Sequence, residues 1–300
     1  MSLANYAAQS AVTDPGALAD WLAGLPDGIA ALRRVARGLV VHFRGDDLVA
    51  LGIPLERVAE IDARDAATML ARLRAMDGRP LAIARAPQRR LVGCCRDFTV
   101  LYLTLLRQKG IPARARVGFA SYLIPGWNLD HEIAEVWDAA VGRWRLVDVQ
   151  LADRHVDGTD GAGFDTLDVP RGRFLVAGDA WCACRSGAAD PARFVVDPGL
   201  DDPELRGWTY LRHNLVHDLA ALGKREMLLW DTWGVMDGGH PTPVEIALLD
   251  RVAETTRAVP PDPAAVRALA AEPGLAVPPV VTSRSPATGE ARLVRVGFGS

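Results

Sequence analysis

The chain has 300 residues, 49% apolar and 24% charged, with 34 basic against 37 acidic side chains and a net charge of −3. That composition predicts a globular protein with a sizeable core. It offers no clustered positive field for nucleic acid or an anionic membrane surface, and the short run RAPQRR (Arg85 to Arg90) does not supply one.

No apolar run reaches the roughly 18 residues that a membrane span needs. The stretch MSLANYAAQSAVTD lacks the basic and apolar regions of a signal peptide. Cysteine occurs as Cys94-Cys95 and as Cys182-x-Cys184. Adjacent cysteines rarely pair with each other, so free thiols in a cytoplasmic protein are expected.

Pro15 to Phe43 reads as helical in two runs. Ala17, Leu18, Trp21 and Leu22 recur at helical spacing, and Ile29 to Val41 follows the Pro26-Asp27-Gly28 break. The next helix fits Ala63 to Met76, with Ala66, Met69, Leu70 and Leu73 on one face, and Asp77-Gly78-Arg79-Pro80 stops it. Cys94 to Lys109 carries the strongest helical pattern. Phe98, Leu101, Leu105 and Leu106 form its buried stripe, and Gly110 with Ile111-Pro112 ends it.

Ala113 to Tyr122, His131 to Asp138 and Arg143 to Leu151 are short, rich in Val, Trp and Leu, and read as strands. Helices return from Pro170, chiefly over Leu205 to Leu222 and Pro243 to Arg257. One short helix is expected among the prolines of Ala258 to Pro279, and a hairpin around Pro286 to Glu290 in the last twenty residues. Helices, then strands, then helices again predict an α+β fold rather than a doubly wound sheet. A single compact unit over 1–300 is expected, with a core at about 88–152, a helical flank over 1–87 and a helical extension over 170–300.

The chemistry starts at GCCRDF. A thiol at a helix N-terminus faces the positive end of the macrodipole and unpaired N–H groups, which stabilise a thiolate. A nucleophilic thiol also needs a base. Of His42, His131, His155, His213, His217 and His240, His131 opens the strand segment DHEIAEVWD, and the next strand, RWRLVDVQL, carries Asp148. A hairpin through Ala139 to Gly142 sets Trp137 opposite Trp144, Glu135 opposite Leu146 and Ile133 opposite Asp148. His131 shares a face with Ile133 and so with Asp148, at a diagonal backbone separation of roughly 7–8 Å. An odd-length loop without a bulge would separate the two. Cysteine, histidine and aspartate then form the thiol version of nucleophile, base and orienting carboxylate, and the reaction class is acyl transfer.

GCCRDFTVLYLTLLRQKGIPARARVGF, DHEIAEVWD and RWRLVDVQL, in that order, resemble the transglutaminase-like superfamily. The resemblance implies a papain-like cysteine proteinase core with added N- and C-terminal helices. It points to Cys95, directly before Arg-Asp, as nucleophile, with His131 and Asp148 as its partners. It runs from about Leu91 to Leu151. A wider likeness to a bacterial group with segments such as RFLVAGDAW and LLWDTWGVMD covers most of the chain. Two residues depart from the pattern. Glu132 stands where an aromatic or small residue is usual, and Val149 where a proline is common. Glu132 is expected on the face opposite His131.

The remaining residues carry plainer expectations. Cys94 is read as packing, and Asp97 as a first-turn acid that favours the helix dipole, with Arg96 beside it. Cys182 and Cys184 do not have zinc-ligand spacing. HNLVH lacks the glutamate of the zinc-protease motif, so His213 and His217 are expected as partly exposed helix residues. Tyr122 and Trp127 are expected to cover a core edge or line a groove, and Trp230 and Trp233 to lie in the core. The N–H of Cys95 is the expected first oxyanion donor, and Gln88 a guess for the second.

The expected activity is cysteine-dependent acyl transfer on an amide or ester through a thioester. The substrate is a peptide, a protein or a small amide. No metal or organic cofactor, nucleic acid or membrane is called for, and the oligomeric state is left open. Hydrolysis is favoured over amine transfer because water is the default acceptor. The alternative is a non-catalytic peptide-binding module of the same fold.

Overall fold

Residues 2–151, 163–237 and 239–297 are described by a computed structural model of the chain. His155, residue 152 of the expected core and residues 298–300 of the expected hairpin segment lie outside them. The N-terminal flank holds α1 (Leu3–Ala7), a 3-10 segment at Gly16–Leu22, α2 (Ile29–Arg37), β1 (Val40–His42), a second 3-10 segment at Leu55–Asp62 and α3 (Ala66–Met76). Two expectations are corrected here. The helix read as Ile29 to Val41 ends at Arg37, with Gly38 as its cap. The β-branched pair Val40-Val41 instead joins a parallel ladder with β2 (Leu91–Gly93), which sets His42 opposite Gly93. The helix read from Ala63 starts at Ala66, because Asp65 caps it by accepting from the Thr68 N–H at 2.8 Å.

Strand β2 runs directly into α4 (Cys95–Gln108). Cys94 is the N-cap residue, and its N–H donates to Asp97 Oδ2 at 2.8 Å. This satisfies one backbone donor just where the chain enters the helix. Phe98, Leu101, Leu105 and Leu106 are fully buried, as their spacing predicts, each contributing roughly 1.5–3 kcal/mol over an exposed position. Arg96 is buried too, and donates to the carbonyls of Ala63, Arg64 and Glu226. It ties the start of α4 to both flanks.

The sheet orders as β5 (Arg143–Val147), β4 (Asn128–Asp138), β3 (Ala113–Ala120) and β6 (Phe174–Val176), antiparallel throughout, with β7 (Phe194–Val195) parallel to β4. Strand β4 begins at Asn128, so His131 lies inside the strand rather than at its start. Strand β5 stops at Val147 instead of Leu151, because Asp148 turns to accept from the Leu151 N–H at 3.1 Å. The hairpin register is the expected one, with Trp137 opposite Trp144 and Glu135 opposite Leu146. Gly118 faces both His131 and Val176, and a Cβ there would lie 2.1 Å from the Leu175 carbonyl oxygen. Only a residue with no side chain permits that approach.

The C-terminal part holds α5 (Ala177–Arg185), α6 (Gly207–Leu222), β8 (Asp231–Thr232), α7 (Pro243–Arg257), α8 (Pro263–Ala270) and the antiparallel pair β9 (Val280–Arg284) and β10 (Ala291–Arg295). The fold is α+β. Trp233 is buried, as expected, and Trp230 is partly so. His213 and His217 are buried rather than partly exposed. Their rings stack 4.4 Å apart, and each Nε2 meets a carbonyl, of Leu229 and Asp231. Helix α6 is covered on nearly every side, a condition that period alone does not reveal. Among the described residues no helix is long and apolar enough to cross a membrane.

A buried ion network joins sheet and helices. Glu135 accepts from Arg114 Nε at 2.7 Å, from Arg116 at 3.1 Å and from Arg171. Arg116 also pairs with Asp218 of α6 at 2.8 and 2.9 Å, and donates to the Thr256 carbonyl. Asp218 in turn accepts from the Val117 N–H. Burial opposes the charge of Glu135, but the arginines outweigh it and hold its carboxyl well below the usual range.

Candidate active site

Three segments converge at the start of α4. The capped helix sets Cys95 at its first position, where the N–H has no intrahelical acceptor. Strand β4 carries His131, and the turn after β5 carries Asp148. His131 Nε2 lies 2.9 Å from Asp148 Oδ2. The ring nitrogen left to face the sulfur is therefore Nδ1, and the imidazole interacts with the Cys95 thiol by hydrogen bonding and by charge. Exposure falls along the row, from 7% at Cys95 to 2% at His131 and none at Asp148. The sulfur is the member nearest solvent.

The electrostatics divide charge between sulfur and ring. Cys95 is held well below the ordinary thiol range, first by a hydrogen bond from Cys94 and then, against burial, by His131. Cys94 is pushed well above it by donating that bond and by burial. His131 is raised to about 10, because Asp148 and Cys95 outweigh the cost of burying its charge. Asp148 is lowered despite burial by His131, by the Tyr122 hydroxyl at 2.8 Å and by the Leu151 N–H. A thiolate–imidazolium pair next to a carboxylate is the resulting state near neutrality, and it can attack a carbonyl and return a proton.

The structure thus brings together all three residues singled out from the sequence. Several expectations change around them. Cys94 is a helix cap and a thiol donor rather than mere packing. Tyr122 is buried and anchors Asp148. Trp127 lies against the Arg193 guanidinium, 5.0 Å from its ring centre. Gln88 is not beside Cys95 as a donor, since its amide binds the Leu51 carbonyl on the exposed side. Glu132 is buried on the side of α4, where its backbone oxygen accepts from Thr99 at 3.1 Å. Burial and nearby charge raise its carboxyl well above the usual range.

Two neighbours of the sulfur escape a sequence reading. Asp130 accepts from Asn214 at 2.8 Å and Tyr210 at 3.0 Å, and is raised to about 7 by desolvation and by Cys95. His42, at the end of β1, senses both Cys95 and His131. The run Val-Val-His-Phe after Gly38 is the signal that would have marked it as a strand end. Among the described residues no cluster of His, Cys, Asp and Glu fit to hold a metal ion occurs.

Residues 57–149, which include Cys95, His131 and Asp148, match the family model of the transglutaminase-like superfamily. A solved structure from Cytophaga hutchinsonii, described as a "Putative Cysteine Protease", is similar at 17% identity and a TM-score of 0.33. That match covers 59% of this chain and 48% of the other, so the chain spans about half the length of the protein it matches. No curated protein matches the chain.

Proposed function

We propose, for a chain that carries a transglutaminase-like superfamily domain at residues 57–149, a cysteine-dependent acyl-transfer reaction with Cys95 as nucleophile, His131 as acid and base, and Asp148 as the carboxylate that orients the ring. The observation that carries this reading is the 2.9 Å contact of His131 Nε2 with Asp148 Oδ2 beside a cysteine at the first position of α4, with that thiol held low and the imidazole raised to about 10. A buried structural cysteine has no need of either shift.

In this reading the Cys95 thiolate attacks an amide or ester carbonyl, a C–S bond forms and the oxygen takes the negative charge. As the C–N or C–O bond breaks, the His131 imidazolium hands its proton to the leaving group and a thioester remains. His131, now neutral, takes a proton from water, which attacks the thioester and releases the acid and the thiolate. Hydrolysis is the favoured outcome, because water is the default acceptor for a thioester. The substrate class is a peptide, a protein or a small amide.

Trapping tests the reading. The protein is incubated with a peptide library, quenched in acid and digested, and the adducts are mapped by mass spectrometry. An acyl group on Cys95 that is absent from Cys95→Ala is the expected result. Absence of any adduct, with Cys95 titrating near the ordinary value of about 8.5, overturns it.

A further inference from the structure

A second oxyanion donor has no owner so far. His42 ends β1 directly opposite Gly93, two positions before Cys95 in the chain, and the Phe43 N–H donates to the Gly93 carbonyl at 2.9 Å. Parallel pairing therefore carries the His42 ring to the mouth of α4. There its orientation is set by a turn. The ring's Nδ1 accepts from the Gly45 N–H at 2.8 Å and from the Arg44 N–H at 3.2 Å, while the backbone N–H of His42 donates to Asp46 Oδ2 at 2.8 Å. A nitrogen that accepts carries no proton, so the proton resides on Nε2. No acceptor for that N–H occurs among the described residues. The ring is desolvated, which lowers it to about 4, and it interacts with both Cys95 and His131. Near neutrality it is an uncharged donor with a fixed tautomer.

We propose that His42 supplies the second oxyanion donor, its Nε2–H meeting the oxygen that turns negative when Cys95 attacks a carbonyl, beside the N–H of Cys95. This rests on Cys95 acting as the nucleophile. The turn explains why Nδ1 is engaged. It leaves Nε2 on the opposite edge of the ring, without an acceptor among the described residues. A neutral imidazole is suited to the task, since it donates without neutralising the thiolate beforehand.

Two probes separate this role from an effect on the thiol. Acylation by p-nitrophenyl acetate passes through an oxyanion, whereas alkylation by iodoacetamide does not. His42→Asn keeps an acceptor for the Arg44 and Gly45 N–H groups and, being shorter, presents no donor at the position of Nε2. His42→Gln places an amide N–H near the position of Nε2. Folding of each is checked by thermal unfolding, with His42→Ala as the independent variant. The expected result for His42→Asn is acylation slower by about 10²–10³-fold with alkylation unchanged, and substantial recovery in His42→Gln. Acylation of folded His42→Asn or His42→Ala at the wild-type rate overturns the inference. So does a parallel loss of acylation and alkylation, which marks an effect on the thiolate. Failure of the wild-type protein to acylate at Cys95 overturns the nucleophile reading itself, which distinguishes the two failures.

Discussion

Asp148 Oδ2 lies 2.9 Å from His131 Nε2, just past the last rung of the β4–β5 ladder, where Ala134 faces Val147. The carboxylate is released from the sheet yet held by Tyr122 and the Leu151 N–H. Asp148→Asn keeps the shape and removes the charge. His131 should then fall from about 10 towards its ordinary value of about 6.5. Acylation of Cys95 should drop by as much as ~10⁴-fold, as in triads that lose this charge. The rate of acylation and the pH profile of iodoacetamide alkylation report both effects, and an unchanged profile counts against the role of Asp148.

The pH dependence follows from the same pair. The reactive state needs Cys95 deprotonated and His131 protonated. Cys95 lies well below the usual thiol range, so its thiolate is lost only as pH falls through that lowered value. His131 keeps its proton until pH rises through about 10. Acylation should give a bell with its alkaline limb near 10 and its acid limb far below the ordinary thiol value of about 8.5. An acid limb at 8 or above in a stopped-flow profile would contradict the thiolate–imidazolium state.

The two adjacent cysteines should separate cleanly. Cys95→Ala should abolish both alkylation at low pH and acyl adducts. Cys94→Ala removes the S–H that donates to Cys95. It should raise the pH midpoint of Cys95 alkylation by an amount worth about 1 kcal/mol, while Cys94→Ser, which keeps a donor, should shift it less. Peptide-resolved alkylation across a pH series measures the midpoints.

Glu135 answers to three arginines, two of them buried on β3. Glu135→Gln leaves those charges without their carboxylate and should cost about 3–5 kcal/mol, read as a lower urea midpoint. The carboxyl is depressed in the folded state. Its contribution is therefore complete above the unfolded carboxyl value of about 4.3 and lost as pH falls through the lower folded value. The wild-type and variant urea midpoints should converge in acid and stay apart at neutral pH.

Gly118→Ala tests the close approach of β6. The added methyl meets the Leu175 carbonyl oxygen at 2.1 Å, a contact that only a backbone shift relieves. A loss of at least about 1–3 kcal/mol is expected. Because Gly118 faces His131 across the ladder, weaker alkylation of Cys95 at low pH should accompany it. Differential scanning calorimetry and the alkylation rate together check both parts.

Local pattern made several features legible. The helix after GCC, its buried stripe, its Gly110 stop and the register of the β4–β5 hairpin follow from period, capping and loop length, which act between residues close in the chain. The same reasoning put His131 and Asp148 on one face, because one register decides which side chains share it, while the choice of Cys95 over Cys94 came from the family resemblance. It overran at Val40-Val41, where a ladder with the distant Leu91–Gly93 competes with the helix. It also mistook the exposure of His213 and His217, which depends on what packs around α6.

The sequence by itself determined the α+β order, the place of Cys95 at a helix start and the shared face of imidazole and carboxylate. Only the tertiary structure decided that Arg96 clamps three distant carbonyls, that Tyr122 holds Asp148 and that His42 pairs with the strand leading into Cys95. Those contacts join segments far apart along the chain. Period and spacing describe neighbours, whereas the geometry of distant partners is set by the packing of whole elements.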